Sequence, residues 1–429
     1  MKSAIGPALL GAWLCLGMGP TAAAETPTAA SLGRAIFSDT SLSASGTMAC
    51  STCHDPAHAH AQSNALAVQS GGAASDVAGF RSVPSLRYLN AESFFFDSEG
   101  TPTAGFNRDG RSSSLLDQAQ RPLLAAHEMA NGDAETFVAH LAAATYADDF
   151  RAVFGQNVFD DADGAFLRAR FALAAYEKTA PELHPFDSKY DFFLAGKATL
   201  TPAELRGFAL FNRPDKGNCA GCHPSMRGAD GSPPLFTDYT YDNLGLPRNA
   251  EIPANADPAY FDLGLCGPER TDLADRTDLC GAFKVPTLRN VATRQVFFHN
   301  GLFKTLLDAV RFYVRRDTNP DSFYPIAADG TVDKFDDLPR EYVRNVNTVE
   351  VPYDRHPGQA PRLDDAEIDD LVAFIETLTD GYDPATGNSD PARSLLTATA
   401  RAGRIQISPD GIVPGRPAAR SQTAPRAVR

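Results

Sequence analysis

The chain has 429 residues, with 39 lysines and arginines against 53 aspartates and glutamates, a formal net charge of −14. That acidic balance argues against a nucleic-acid-binding protein and leaves a surface suited to a basic protein partner. Length suggests two domains with appendages, and 31 prolines with 33 glycines spread along the chain predict a loop-rich body.

Residues 1–24 read as a secretory signal peptide. Lys2 is the charged start, an apolar run extends from Ala8 to Met18, and Ala22-Ala23-Ala24 offers a small-residue cleavage site. The run is too short to span a bilayer, and Cys15 inside it lacks a lipobox. No later stretch has the length and apolarity of a transmembrane helix. The mature chain, at −14 − 1 = −15 without Lys2, is expected in the periplasm with no membrane span.

A short amphipathic helix follows in SLGRAIFSD, with Leu32, Ala35, Ile36 and Phe37 on its apolar face. It leads to Cys50-Ser51-Thr52-Cys53-His54. A second such helix, with Thr201 as cap, Pro202 at its first position and Glu204 at its third, leads to Cys219-Ala220-Gly221-Cys222-His223. C-x-x-C-H is the spacing of c-type haem attachment, in which two thiols bond to the vinyl groups and the adjoining imidazole reaches the iron. The alternative is one four-cysteine zinc site, since C-x2-C pairs also suit zinc. It leaves both histidines unexplained and joins pairs 219 − 50 = 169 residues apart. Two covalently bound haem c groups are therefore expected.

Each motif is followed by a copy of one block, Val83-Pro84-Ser85-Leu86-Arg87 or Val285-Pro286-Thr287-Leu288-Arg289. The expectation is a mainly α, loop-rich fold in which two cytochrome c-type haem domains, 25–195 and 196–385, form an internal duplication. Further helices are predicted at 134–144, 165–178, 303–316 and 364–379. The last has Asp364 as cap and Ile368, Leu371, Val372, Ile375 and Leu378 on one face. Residues 386–429, rich in Ala, Arg and Pro, read as a disordered tail. Of the cysteines, Cys266 and Cys280 remain, and a local disulfide is expected, with two free thiols as the alternative.

Several blocks in one order resemble the bacterial di-haem cytochrome c peroxidase family, and within it the MauG-like branch. They are RAIFSD, CSTCHDP, RSVPSL, DGRSSSLLDQAQRPLLAAHEM, CAGCHPS, FTDYTYDNLG, FKVPTLRNVATRQVFFHNG and AVRFY, spread over about residues 30–380. The resemblance implies that the N-terminal haem meets peroxide and the C-terminal haem handles electrons. It assigns Glu128 to the open face of the first haem, with Gln118 and Pro122 beside it. A carboxyl there can move a proton between peroxide oxygens, and desolvation would raise its pKa. The alternative is a solvated glutamate on a surface helix.

His58 and His60 lie too close to His54 to reach the opposite haem face, so both are expected in supporting or surface positions. His60 stands where the family usually has an aromatic residue. Sixteen residues past His54, where peroxidase relatives place a distal His, this chain has Ser70, which implies an open first haem. Tyr313, fourteen past His299, falls where ordinary peroxidases have Met and MauG-like proteins have Tyr. A hard anionic phenolate favours higher oxidation states than a thioether. The alternative is a Tyr packed on an apolar face with Leu306 and Val310.

Arg108 and Gly217 replace two tryptophans of the MauG pattern, so inter-haem coupling is expected through Tyr88, Phe106 or direct edge contact. The resemblance also implies a calcium ion between the halves, held near Ser82 and the carbonyls of Arg294 and Val296. The expected activity is that of a periplasmic di-haem peroxidase-type oxidoreductase. Hydrogen peroxide would generate high-valent haem iron, which oxidises an electron-donor protein or a side chain of a partner protein. MbnH-type proteins, paired with a copper-associated partner, share this pattern. The rival readings are an ordinary cytochrome c peroxidase that removes hydrogen peroxide and a non-enzymatic di-haem carrier or redox sensor.

Overall fold

The computed structural model describes residues 26–395; the expected signal peptide and residues 396–429 lie outside them. Its α-helices, among the described residues, are α1 (Ala29–Ser38), α2 (Cys50–Cys53), α3 (Leu115–Gln118), α4 (Gln120–Leu124), α5 (Ala134–Ala142), α6 (Ala147–Phe154), α7 (Ala162–Thr179), α8 (Lys189–Leu194), α9 (Pro202–Asn212), α10 (Leu306–Arg315) and α11 (Asp365–Glu376). Strand is confined to three two-residue antiparallel ladders.

The architecture rests on two helix crossings of the same kind. Leu32, Ile36 and Phe37 turn one face of α1 onto α7. The backbones approach so closely that a Cβ on Gly33 would lie 2.0 Å from the Ala172 carbonyl oxygen. In the second half α9 crosses α11, and a Cβ on Gly207 would lie 1.9 Å from the Asp370 carbonyl oxygen. Only glycine permits either contact. Capping boxes fix where the second pair begins, at Thr201 with Glu204 and at Asp364 with Glu367.

The helices expected at 134–144, 165–178, 303–316 and 364–379 correspond to α5, α7, α10 and α11. α10 starts later than periodicity suggested because the Thr305 hydroxyl accepts from the Asp308 N–H, while Phe303 bridges to Phe297. α11 stops at Glu376, where the Thr377 hydroxyl turns back to the Phe374 carbonyl at 2.6 Å.

One core gathers Leu32, Phe37, Phe137, Phe150 and Leu173; another gathers Phe211, Phe236, Leu371 and Phe374. α8 packs with the second core through Tyr190, whose hydroxyl donates to the Ser225 carbonyl at 2.9 Å. The seam thus falls before α8, not at the expected 195/196 boundary. Residues 386–394, expected in the tail, are held on the body: Tyr382 pairs with Ser389, and the Ser394 hydroxyl donates to Asp187 at 2.9 Å. Cys266 and Cys280 are joined, with Cα atoms 5.1 Å apart.

Arg87 of the duplicated block closes the seam, while its counterpart Arg289 pairs within the second half and lies over the Tyr88 ring at 4.9 Å. Arg87 pairs with Asp380 at 2.9 Å, and Tyr88 donates to the same carboxylate at 2.7 Å. Arg289 holds Asp191 through two bonds of 2.9 Å. Both arginines are fully buried, so each pair stands or falls as a unit.

Candidate active site

Both C-x-x-C-H motifs open onto one continuous cavity of about 820 Å³. In the first half, α2 presents the cysteines, and His54 Nδ1 lies 3.0 Å from the Pro84 carbonyl and 3.3 Å from that of His60. In the second, His223 Nδ1 lies 2.8 Å from the Phe236 carbonyl, and the Pro286 carbonyl also acts on the ring. The proline of the duplicated block therefore serves the histidine of its own half. Carbonyl acceptors place the proton on Nδ1 and leave a lone pair on Nε2, the form an imidazole takes when it binds iron. Burial keeps both rings neutral, lowering His54 to about 4 and His223 below its usual value.

Cys50, Cys53, Cys219 and Cys222 are unpaired, and burial pushes each thiol up. Among the described residues no three His, Cys, Asp or Glu side chains converge as a metal site would require. The four-cysteine zinc alternative is thus not built. Two thiols and one free imidazole nitrogen facing a shared apolar cavity fit a haem in each half.

His58 pairs with Asp55 near the surface at 2.8 Å. His60 is fully buried, and both ring nitrogens lack a partner. Its counterpart in the second half is Phe236. The two share a left-handed backbone, φ 55° and 54°, and each offers its carbonyl to the proximal histidine. His60 packs on Phe37 at 5.9 Å as Phe236 packs on Phe211 at 6.0 Å. His60 fills an aromatic position, and burial lowers it to about 3.

Glu128 lies in the loop after α4 and lines the cavity with Gln118 and Pro122. The hairpin that pairs Ser70–Gly71 with Val77–Ala78 supports this loop. Gly72 N–H donates to the Glu128 carbonyl at 2.9 Å, and a Cβ on Gly71 would lie 2.4 Å from the His127 carbonyl oxygen. Glu128 Oε2 is enclosed without a partner. Burial raises its pKa, while Arg121 and Arg111 pull the other way. A solvated surface glutamate is not what the fold makes of this residue. Ser70 lines the same cavity.

Tyr313, on α10, faces the part of the cavity that holds the second motif. Its ring sits 5.5 Å from Phe298 and 6.0 Å from Tyr353. Val310 and Val314 enter the second core and Phe312 a smaller one, whereas Tyr313 belongs to neither. Burial, then Asp242, raises its pKa.

Between the motifs Phe283 stacks on His299 at 3.6 Å, a pair the sequence did not single out. Tyr88 and Phe106 also line the cavity, but the Tyr88 hydroxyl is committed to Asp380. Two further buried ionisable groups were missed. Glu177 on α7 lines the cavity near Cys50, and burial raises it to about 8. Lys284 donates to the Gly105 carbonyl, and burial lowers it to about 8. Glu177 was detectable in principle, being four residues past Leu173 on the buried face of α7.

The expected calcium position does not fit that ion. Arg108 donates to both oxygens of Ser82, and the Arg294 side chain donates to the Val296 carbonyl, so guanidinium groups occupy the proposed ligands. Calcium needs six to eight oxygens of its own.

Residues 27–199 match the family described as di-haem cytochrome c peroxidase. Over 379 residues the chain is 35% identical to methylamine utilization protein MauG of Paracoccus denitrificans (strain Pd 1222), covering 85% of this chain and 92% of that protein. The chain belongs to the di-haem cytochrome c peroxidase family. This peroxidase is also 30% identical to cytochrome c551 peroxidase of Nitrosomonas europaea, over 71% of this chain and 79% of that one. Its fold matches the crystal structure of the diheme peroxidase BthA from Burkholderia thailandensis E264, with TM-score 0.75 and 38% identity over 84% and 89% of the two chains. It is a peroxidase-type oxidoreductase with two haem cofactors, mostly helical and loop-rich. No helix among its described residues is long and apolar enough to cross a membrane.

Proposed function

We propose that this di-haem peroxidase works in the periplasm and reduces hydrogen peroxide at a haem held by Cys50, Cys53 and His54. Cys219, Cys222, His223 and Tyr313 would hold a second haem, which would supply electron exchange with a partner protein. One observation carries the reading: an enclosed carboxyl, Glu128, with an unpartnered oxygen, shares a cavity with a neutral His54 whose Nε2 is free.

A haem bound there would supply the electrons that break the O–O bond. The protein's task is the proton. Glu128, its pKa raised by burial, would take the proton from one peroxide oxygen and return it to the oxygen that leaves as water. Gln118 offers an amide to orient the peroxide, and Pro122 brings an apolar surface without a competing N–H. On the other side, the carbonyls of Pro84 and His60 polarise His54 and strengthen it as a donor to iron. Ser70 lines this pocket without an imidazole, so no side chain at that position would compete with peroxide for a haem bound there.

At the second site Tyr313 would offer a phenolate to the iron of a bound haem, a hard ligand that would favour retention of an oxidising equivalent over rapid exchange with small cytochromes. This favours oxidation of a partner-protein side chain, as in MauG-like chemistry, over simple peroxide removal. The test is stopped-flow mixing of peroxide with diferric holoprotein. Glu128→Gln is expected to slow the reaction by roughly 10²- to 10⁴-fold with haem content unchanged. A variant that reacts at the wild-type rate would remove Glu128 from the mechanism.

A further inference from the structure

Ser82 sits where the two halves meet. Its N–H donates to the His299 carbonyl at 2.8 Å and its hydroxyl to the Phe298 carbonyl at 2.6 Å. Arg108 closes on the same residue, with Nε 3.1 Å from the Ser82 carbonyl and Nη2 2.7 Å from its hydroxyl. From the other half, Arg294 reaches across to the Val83 carbonyl at 2.7 Å while its Nε lies 3.3 Å from the Val296 carbonyl. Neither guanidinium is ion-paired among the described residues. Asp262, the acid that acts on Arg108, and Asp109, its chain neighbour, are held by Arg81 at 2.6 and 2.7 Å. Both unpaired arginines line the cavity that joins the two motifs.

We propose that Arg108 and Arg294 take the place of an interdomain calcium ion: Arg294 reaches across to the Val83 carbonyl, Arg108 clamps Ser82 as it binds the Phe298 and His299 carbonyls of the other half, and together they supply two positive charges in the cavity that joins the two motifs. The count matches, two guanidinium charges for one divalent ion. Two of the three expected metal ligands, Ser82 and the Val296 carbonyl, are engaged by these guanidinium groups.

Displacement by calcium is unfavourable. A divalent ion among these oxygens would meet the repulsion of two guanidinium charges. Arginine is the residue able to do this because it stays protonated when enclosed and its planar fork meets two acceptors at once. Burial lowers both, Arg294 to about 10.

The tie is independent of which partner the enzyme oxidises, and its test does not use turnover. Diferric holoprotein would be dialysed against excess calcium, desalted and assayed for metal. Less than about a tenth of an equivalent is expected, against one for an occupied calcium site. EDTA should leave the ferric optical and EPR spectra and the thermal midpoint unmoved. In Arg294→Gln holoprotein, loss of positive charge should lower the haem reduction potentials. Arg294→Lys, which keeps the charge, should restore them toward wild type. One tightly held calcium per chain, with spectra that change on chelation, would overturn the proposal. So would potentials indifferent to Arg294→Gln. If neither variant assembles with haem, the wild-type metal analysis still decides.

Discussion

Glu177 gives the sharpest test of how this fold treats its buried charges. The residue is 5% exposed, one carboxylate oxygen has no partner, and burial raises its pKa to about 8 from 4.5. A carboxyl raised in the folded state binds its proton more tightly there than in the unfolded chain. Its contribution is therefore harmless below pH 4.5, erodes stability steadily as pH rises, and levels off above 8. The slope is about 1.4 kcal/mol per pH, so the accumulated cost is about 3 kcal/mol at pH 7 and on the order of 5 kcal/mol above pH 8. Glu177→Gln removes the titration but leaves an amide to satisfy, which returns about 1–3 kcal/mol. The net expectation at pH 8 is a variant more stable by a few kcal/mol. For a unit of this size that is roughly 2–4 °C per kcal/mol. Below pH 4.5 the advantage should vanish or reverse. Thermal unfolding of ferric holoprotein, followed at the Soret band from pH 4 to 9, reads both. Wild-type and variant curves that run parallel across that range would refute the reasoning.

Four other outcomes follow from the same geometry. Gly207→Ala puts a methyl group against the Asp370 backbone and should destabilise the second half by about 1–3 kcal/mol or more, read as a lower unfolding midpoint. His60→Phe removes two unpartnered nitrogens at constant shape and should be neutral or stabilising by about 1 kcal/mol. Because burial lowers His60 to about 3, wild type should lose stability as pH falls from 6.5 toward 3, and the variant should lose less. Arg289→Met strands Asp191 beneath the seam and should cost about 3–5 kcal/mol by denaturant unfolding. Tyr313→His should change the optical spectrum and potential of the second haem; an unchanged spectrum would remove Tyr313 as its ligand.

The sequence made local features legible and hid those created by the meeting of distant segments. C-x-x-C-H places its ligands within five residues, so both motifs could be read directly. The caps at Thr201 and Asp364 were readable for the same reason, since each box spans four residues. α8 was assigned to the wrong half because nothing near Tyr190 shows that its hydroxyl finds Ser225 and its N–H finds Thr377. The calcium expectation meets a related difficulty. It was read from Ser82 and two carbonyls, and only the fold turns the Arg108 and Arg294 side chains toward Ser82 and the Val296 carbonyl. Glu177 was hidden by its type: a charged letter on a helix is read as solvent-facing until packing shows otherwise.

The two helix crossings allow the halves to be compared position by position. Gly33 meets Ala172 and Tyr176 as Gly207 meets Asp370 and Phe374. One residue further along, Glu177 corresponds to Ile375, and both line the cavity. The proximal sides have kept one design, with Pro84 and Pro286 in the same office and His60 and Phe236 in the same conformation. The divergence is concentrated elsewhere, in Glu128 and Glu177 on one side and Tyr313 and Ile375 on the other. On the proposed function, two buried carboxyls would let the first pocket carry protons to and from a bound oxidant. An apolar residue and a phenol would give the second a ligand and little proton traffic. On this reading the asymmetry of the chemistry comes from a few side chains facing a repeated frame. Exchanging Glu177 and Ile375 should then make the two haem environments more alike in the pH dependence of their potentials, while the iron-binding histidines stay as they are.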